Sequence, residues 1–341
     1  MSIVPSNGPM PLKTGKLPPR LLARSLRHLG ARDGRVVVGP KLGEDASVVR
    51  LGGQLIVLKT DPVTYASDLI GWYAVHVNAN DVATRGATPA WFQAVVLLPE
   101  GSDEALPEKI SRQISSACED IGVAVTGGHT EVTPGIPSPI VVGDMHGVLG
   151  RRRPVLTSGA RVGDAIVLTK AAGIEGTATL ARTKRQELVG PLGKRLVDRA
   201  SKFLFNPGLS VIPEAKEALS FSVRAMHDPT EGGVLMGVYE LASASGRSVE
   251  LRADDVPVLD ETRIICDFYD IDPLGLLGSG ALLATFRPPD ADRYLDALAD
   301  GGVEATVIGS VVSGKNRSSI VRDGTVRRLS SCERDELLKT S

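Results

Sequence analysis

The seven carboxylates Glu44, Asp45, Asp61, Asp81, Glu131, Asp144 and Asp228 are placed where acids can do chemistry. Glu44 and Asp45 lie in "GPKLGEDASVV", Asp61 ends "LIVLKTD" and Asp81 sits inside "WYAVHVNANDVATRGATPAW". Glu131 closes "TGGHTE", Asp144 ends "IVVGD" and Asp228 opens "DPTEGG". Most occur where an apolar run meets Gly, Pro or Thr, at the edge of an element, where a rigid scaffold presents binding residues. Singly, each reads as a turn former or a helix cap. Brought together, they would repel and resist ionising unless cations held them. Hard oxygen ligands of this kind suit Mg2+ or Mn2+, and Mg2+ is commonly bound by a few carboxylates plus substrate phosphates.

Two Gly-rich turns complement the acids. In "HDPTEGGVLMG" the N–H groups of a helix start point outward, a ready anion site, and "KAAGIEGTA" offers the same behind Lys170. Plain turn chemistry is the alternative for each. There is no G-x-x-x-x-G-K-[ST], and "GLLGSG" has the wrong spacing for a dinucleotide fingerprint.

The elements that must position these groups follow from periodicity. Trp72, Val75, Ala79, Val82 and Ala83 recur at helical spacing, with Asn78, Asp81 and Arg85 as a second stripe along the edge. Asn and Asp are poor helix formers, so something other than propensity selects them there. Earlier, "PPRLLARSLRHLG" predicts a helix stopped by Gly30, followed by strands in "RVVV", "ASVVRL" and "QLIVLKTD". Then come strand "WFQAVVLLPE", helix "ALPEKISRQISSACEDIG", and strands "VAVTGGHTEV" and "SPIVVGDMHGVL". Past the basic run "GRRRP", read as a solvated connection, "GDAIVLTKAAGIEGTATLA" and "VRAMHDPTEGGVLMGVYELASASG" each read as strand, turn and helix. "LLGSGALLATF" and "ATVIGSVV" read as strands around the helix "DADRYLDALADGG". Strands and helices mix without strict alternation, which predicts two α+β domains rather than one doubly wound sheet. The expected division is a flexible arm over 1–18, domains over 19–150 and 151–318, and a tail over 319–341.

Bulk properties exclude several classes. Net charge is −1, giving no electrostatic case for nucleic acid or an anionic membrane. The cysteines Cys118, Cys266 and Cys332 have no C-x-x-C spacing, which excludes a disulfide framework and a Cys-rich zinc site. No run has the length of a signal-peptide core or a membrane span, so the expected location is the cytoplasm.

With "GEDASVV", "KTD", "NANDVATRGATP", "TGGHTE", "GDAIVLTKAAGIEGTA", "HDPTEGG" and "SGALL" in that order, the chain resembles the AIR synthase-like superfamily over nearly its whole length. "GGHTEVT", "AGIEGTA" and "DPTEGG" look closest to the hydrogenase-maturation carbamoyl dehydratase branch and its AIR synthase-related relatives. The resemblance implies a two-domain α+β fold, a homodimer through the N-terminal domains, and ATP-dependent chemistry of the ligase or dehydratase type. In that chemistry ATP phosphorylates an amide or carbamoyl oxygen of a small substrate or a protein-borne group. Carried over, Glu44, Asp45, Asp61 and Asp81 would hold Mg2+, with Asp81 and Asp228 catalytic. Asn78, Asn80, Gly127, Gly128, Glu131, Gly232, Gly233 and Lys59 would bind the nucleotide.

The chain departs from the dehydratases at its end, "RDELLKTS", where they carry a terminal Cys; Cys332 in "LSSCERDE" is a candidate substitute. Asp144 and His146 are a second departure, His146 being a general base or a strand histidine satisfied by a neighbour. The alternatives are a small-molecule kinase of the thiamine-monophosphate kinase type and a nucleotide-binding partner protein without catalysis.

Overall fold

The computed structural model describes residues 12, 14–64, 68–315, 317–331 and 334–340. The first sheet holds β1 (Val36–Val38), β2 (Ser47–Leu51), β3 (Gln54–Val63), β4 (Thr88–Pro99), β5 (Ala124–Thr133) and β6 (Ile140–Gly150). Their order is β1-β2-β3-β6-β4-β5, and only β4 and β5 run parallel, joined through a crossover helix. That helix, α3 (Leu106–Asp120), packs with α2 (Ile70–Thr84) on one face of the sheet. Strand β6 shows why the face is fixed: buried residues alternate strictly with half-buried ones, so Val141, Met145 and Leu149 face the core.

The opposite face and the β5 edge are open. Trp91 is 41 % exposed and Val95 37 % on β4, and Val125 and Val132 of β5 are 51 % and 59 % exposed.

The second sheet holds β7 (Ala165–Thr169), β8 (Ala225–His227), β9 (Ser248–Arg252), β10 (Leu283–Phe286), β11 (Ala305–Val312), β12 (Ser319–Arg322) and β13 (Thr325–Arg328). Their order is β13-β12-β9-β11-β7-β10-β8. Around them lie α4 (Ile174–Thr183), α5 (Arg185–Leu192), α6 (Lys194–Ala200), α7 (Ile212–Ala218), α8 (Gly233–Ser245), α9 (Asp260–Tyr269) and α10 (Pro288–Asp300). Strand β7 is apolar without alternation because both its faces are covered. Ile166 and Leu168 join the cluster containing Val234, Val238 and Leu241 of α8, while Val167 joins Ala215 of α7 and Tyr294 of α10.

The two-part α+β architecture agrees with the sequence expectation, with local differences. The first helix, α1, spans only Pro19–Ser25 and stops well before Gly30, because it buries no residue that would hold a longer helix. In "LLGSGALLATF" the strand begins only at Leu283. Residues 319–328, expected as the start of the tail, belong to the second sheet, since β12 pairs parallel with β9 and β13 pairs with β12. Among the described residues no helix is long and apolar enough to cross a membrane.

Candidate active site

Helix α2 carries the answer to its own composition. It lies between the first sheet and the segment leading into α7, so nearly every residue on it is buried. Asn80 uses both ends of its amide on backbone: Nδ2 donates to the Leu209 carbonyl at 2.9 Å and Oδ1 accepts from Val211 N–H at 2.9 Å. Asn78 Nδ2 donates to the Ala74 carbonyl at 2.8 Å and the Asp61 carbonyl at 3.3 Å. For Asn80 the expected nucleotide role is therefore corrected, while Asn78 keeps its buried Oδ1 without a partner among the described residues. They tie α2 to β3 and to the second half of the chain, and Asn80 has no amide group left for a ligand.

The next polar residue of the helix, Asp81, does point at chemistry. Its carboxylate accepts from Lys59 Nζ at 2.8 Å, and the same ammonium lies 3.0 Å from Asp61. Burial raises the Asp81 carboxyl to about 7 against the pull of Lys59, with Asp45 and Asp61 adding to the rise. Burial alone would lower Lys59, but Asp81 and Asp61 hold its ammonium well above the ordinary range.

Asp228 completes the group from the other half of the molecule. It follows β8 at the start of the Gly-rich turn and is 2 % exposed, and neither carboxylate oxygen has a hydrogen-bond partner. Burial pushes its carboxyl well above the usual range, and the neighbouring Asp81 and Asp45 push it further. A buried carboxylate without a hydrogen-bond partner is costly unless a cation compensates it.

Asp45 and Glu44 are tied to the second half through groups the sequence reading did not select. His227 Nδ1 lies 2.7 Å from Asp45 and its Nε2 2.9 Å from Glu240 of α8. Burial alone would depress the imidazole, but the two carboxylates overcome it and raise His227 from 6.5 to about 10. Burial likewise opposes ionisation of Asp45, yet His227, Arg85 and Lys59 keep it well below the ordinary carboxylate range. Because the folded value of His227 lies above its unfolded one, the stabilisation is fully present below pH 6.5 and is lost as pH rises toward about 10. The stability difference between the native chain and His227→Gln is expected to shrink across that window, measured by urea unfolding at a series of pH values.

Glu44 is spoken for. Its Oε2 accepts from Arg85 at 2.6 Å and Thr157 N–H at 3.1 Å, and its Oε1 accepts from the Ser158 hydroxyl at 2.6 Å and N–H at 3.2 Å. The expectation that Glu44 is a metal ligand gives way to a structural role for this reason. Among the described residues, no three acids, histidines or cysteines form a ready cage for an ion. The Lys59 ammonium stands between Asp61 and Asp81.

The Gly-rich turn "DPTEGG" lies where the sequence placed it, beside the acids, but one of its N–H groups is taken. Gly232 N–H donates to Asp335 at 2.6 Å, and the same carboxylate accepts from Leu277 and Leu337 N–H groups. Gly232 is thus capped by the chain's own C-terminal segment, a long-range contact that no local motif announces. Gly233 is required sterically, because its φ is +56° and a Cβ there would stand 2.5 Å from the Leu276 carbonyl oxygen. Lys16, within the stretch expected to be a flexible arm, lies 3.2 Å from Glu231 and 3.5 Å from Glu240.

Beside this turn is a small cavity of about 60 Å³, lined among others by Asp61, Glu175, Thr179, Glu231 and Ser279. Glu175, at the start of α4, is 8 % exposed, and burial raises its carboxyl to about 7. The enclosed Ser279 hydroxyl stands beside it without closing a hydrogen bond of normal geometry. Glu175, Ser279, Lys16, His227 and Asp335 were not selected from the sequence. Only the "E" of "AGIEGTA", an acid in a turn otherwise made of small and apolar residues, was a usable signal.

Three expected nucleotide ligands lie elsewhere. Gly127, Gly128 and Glu131 are on β5, and β6 and β4 intervene between β5 and β3. At a strand spacing of about 4.8 Å, that places them roughly 14 Å from Asp61 within one chain. Glu131 pairs instead with His129 at 3.0 Å and Thr133 at 2.8 Å. Asp144 accepts from Thr60 at 2.9 Å and Gln93 at 2.8 Å, and His146 Nε2 lies 3.2 Å from it, so His146 is a strand histidine satisfied by its neighbour. The candidate carrier Cys332 lies outside the described residues.

Residues 43–149 match the N-terminal domain of the AIR synthase related proteins, and residues 161–322 match their C-terminal domain. This chain belongs to the AIR synthase related family. It is similar to the carbamoyl dehydratase HypE of Azotobacter vinelandii, with 31 % identity over 315 residues, 89 % of this chain and 86 % of that one. A putative hydrogenase expression/formation protein of Methanocaldococcus jannaschii is 28 % identical over 286 residues, 80 % of each chain. Among solved structures, the hydrogenase maturation protein HypE in complex with ATP superposes with a TM-score of 0.69 at 26 % identity, over 94 % of this chain and 96 % of that one. The E. coli HypE structure shares the fold with a TM-score of 0.73 at 22 % identity, over 94 % of this chain and 99 % of that one.

Proposed function

We propose that this family member is a Mg2+- and ATP-dependent enzyme that phosphorylates an amide, carbamoyl or similar oxygen of a small or protein-borne substrate. The observation that carries the reading is Asp228, buried with both oxygens unpartnered among the described residues and near enough to Asp81 and Asp45 for their charges to raise its carboxyl further. That arrangement fits a divalent cation, which would supply the missing compensation. Asp61, Asp81 and Asp228 would hold the ion, with Asp45 beside them, and the bound ion would neutralise charge on the transferring phosphoryl group.

In this reading Lys59 is the internal cation of the resting site and turns to a phosphate oxygen when the carboxylates take the metal. Lys16 and the remaining N–H groups of the Gly-rich turn support the phosphates. The chain's work is positioning and charge neutralisation, which is where catalysis of phosphoryl transfer mainly resides. The substrate's amide end fits the Glu175–Ser279 cavity, where the hydroxyl donates to its oxygen and the carboxylate accepts from its N–H. The ATP complex of a 26 % identical HypE supports the nucleotide part of this reading.

A homodimer through the first sheet is supported by the open apolar face bearing Trp91 and Val95 and by the uncovered β5 edge. A HypE–HypF complex among the structural relatives, at 25 % identity and a TM-score of 0.70, makes a protein partner part of the proposal.

Isothermal titration of ATP with and without Mg2+ tests the core of it. The native chain is expected to bind ATP only with Mg2+, and Asp81→Asn is expected to weaken binding by about tenfold or more, the loss of one charge-assisted contact. Absence of Mg2+-dependent binding in the native chain would sink the reading. A second reading, a kinase, draws on the fold shared with an AaThiL complex holding AMPPCP and TMP, with a TM-score of 0.70 at 20 % identity. Mass spectrometry separates the two, since a kinase ends in a stable phosphorylated product.

A further inference from the structure

At the far end of α8 from the Gly-rich turn, a pocket of about 380 Å³ opens between the helix C-terminus, the β11–β12 connection and the end of β13. Helix α8 has 13 residues, so about 20 Å separates this pocket from the turn that begins the helix. The rim carries Arg247, Lys315 and Arg328, and among the described residues no carboxylate lines the pocket. None of these three side chains forms an ion pair or a hydrogen bond among the described residues, whereas many of the other basic side chains are paired.

A helix C-terminus attracts cations, but its charge is worth only about half an electron. Three full positive charges exceed that demand several-fold and leave a strongly positive concavity on a chain whose net charge is −1.

The remaining walls are as particular. Ala242 and Leu329 are buried and Tyr239 is half-buried, so one aromatic and two apolar side chains line part of the pocket. Ser243, Ser330 and Ser331 add hydroxyl groups to the rim. The walls are held by backbone contacts: Ser318 Oγ accepts from Val249 N–H at 3.2 Å, Leu329 N–H donates to the Ser318 carbonyl at 2.9 Å, and Arg317 N–H donates to Ser248 Oγ at 2.9 Å. Two guanidinium forks and an ammonium suit phosphate oxygens, the forks bidentately. The volume suits one small molecule rather than a polyanion.

We propose that this pocket is a second ligand site, separate from the candidate active site, that takes a small phosphate-bearing metabolite with a flat ring. Phosphate oxygens meet Arg247, Lys315 and Arg328, and the ring lies over Tyr239, Ala242 and Leu329.

Phenyl phosphate, inorganic phosphate and phenol are the probes, titrated into the full chain by ligand-observed NMR. The double variant Arg247→Ala/Arg328→Ala tests the pocket, and Arg20→Ala/Arg24→Ala serves as a charge-matched control. Phenyl phosphate is expected to bind more tightly than either part alone, and to weaken as salt rises from about 50 to about 300 mM. It is expected to lose about tenfold or more in affinity in the pocket variant and to be unchanged in the control. All the altered side chains are exposed, so both variants are expected to keep the native melting temperature. Absence of phenyl phosphate binding to the native chain overturns the proposal. So does equal binding by the pocket variant, which would place the probe at the active site, or phenol binding as tightly as phenyl phosphate, which would make the pocket merely apolar.

Discussion

Arg85→Leu is expected to destabilise the protein by about 3–5 kcal/mol, the largest stability loss of any single change considered. The guanidinium is fully buried and pairs with Glu44 at 2.6 Å and Asp45 at 3.1 Å. It also donates to Thr157 Oγ1 and to the Met226 carbonyl, both at 3.0 Å. These partners come from both sheets' surroundings, so the one side chain joins the two halves of the molecule. Leucine fills some of the volume but leaves the Glu44 carboxylate, whose side chain is 2 % exposed, without its cation.

Arg85→Lys is expected to recover little, because one ammonium cannot reach four acceptors held in a planar fork. Arg85→Leu/Glu44→Leu is expected to recover part of the loss, since removing both charges avoids leaving one buried and bare. Urea unfolding of the three variants checks this. A loss below about 1 kcal/mol in Arg85→Leu would show that the network is solvated and does not hold the halves together.

The second large effect runs in two directions at one residue. Asp228→Asn is expected to stabilise the metal-free protein while removing Mg2+-dependent ATP binding. The Asp228 carboxyl is enclosed, unpartnered and displaced well above its ordinary value by burial and by Asp81 and Asp45. A folded value above the unfolded one means that its favourable contribution is present below about pH 4 and is lost as pH rises. In EDTA, the advantage of Asp228→Asn is therefore expected to appear above about pH 4 and to grow by up to about 1.4 kcal/mol per pH unit. Asp81, raised to about 7 by burial, works in the same direction and bounds how cleanly one substitution removes the slope.

Addition of Mg2+ and ATP is expected to reverse the ranking, raising the melting temperature of the native chain and not of the variant. Thermal unfolding across pH, with and without Mg2+ and ATP, reads both arms. If Asp228→Asn is less stable than the native chain at neutral pH in EDTA, the carboxyl has a partner that the geometry does not show.

Much of the fold was legible along the chain because it rests on local patterns. The apolar run of β7 and the helically spaced apolar face of α8 follow from which side chains water excludes, whereas the strict burial alternation of β6 appears only once the sheet is formed. The acids were legible as a set because Asp45, Asp61 and Asp228 sit where an apolar run meets a turn and Asp81 stands polar inside an apolar helix. Their company was not. Asn78 and Asn80 have the same side chain and sit two residues apart, but what each amide bonds depends on which segments pack on α2, a long-range fact. Glu44 and Asp45 are neighbours, yet one is saturated by Arg85, Thr157 and Ser158, while the other keeps a place beside Asp81 and Asp228.

By itself, the sequence determined the two α+β units, the family and which acids were candidates, since each is written in residue type and short-range spacing. Only the tertiary structure decided which polar groups are already satisfied. That choice set Asn80 and Glu44 to structural work, gave Gly232 to Asp335, carried Gly127 and Glu131 to a distant sheet edge, and left Asp228 bare. The physical reason is that a buried polar group's role depends on its partner, and here partners come from distant parts of the chain, 103 residues away for Asp335 and Gly232 and 41 for Arg85 and Glu44.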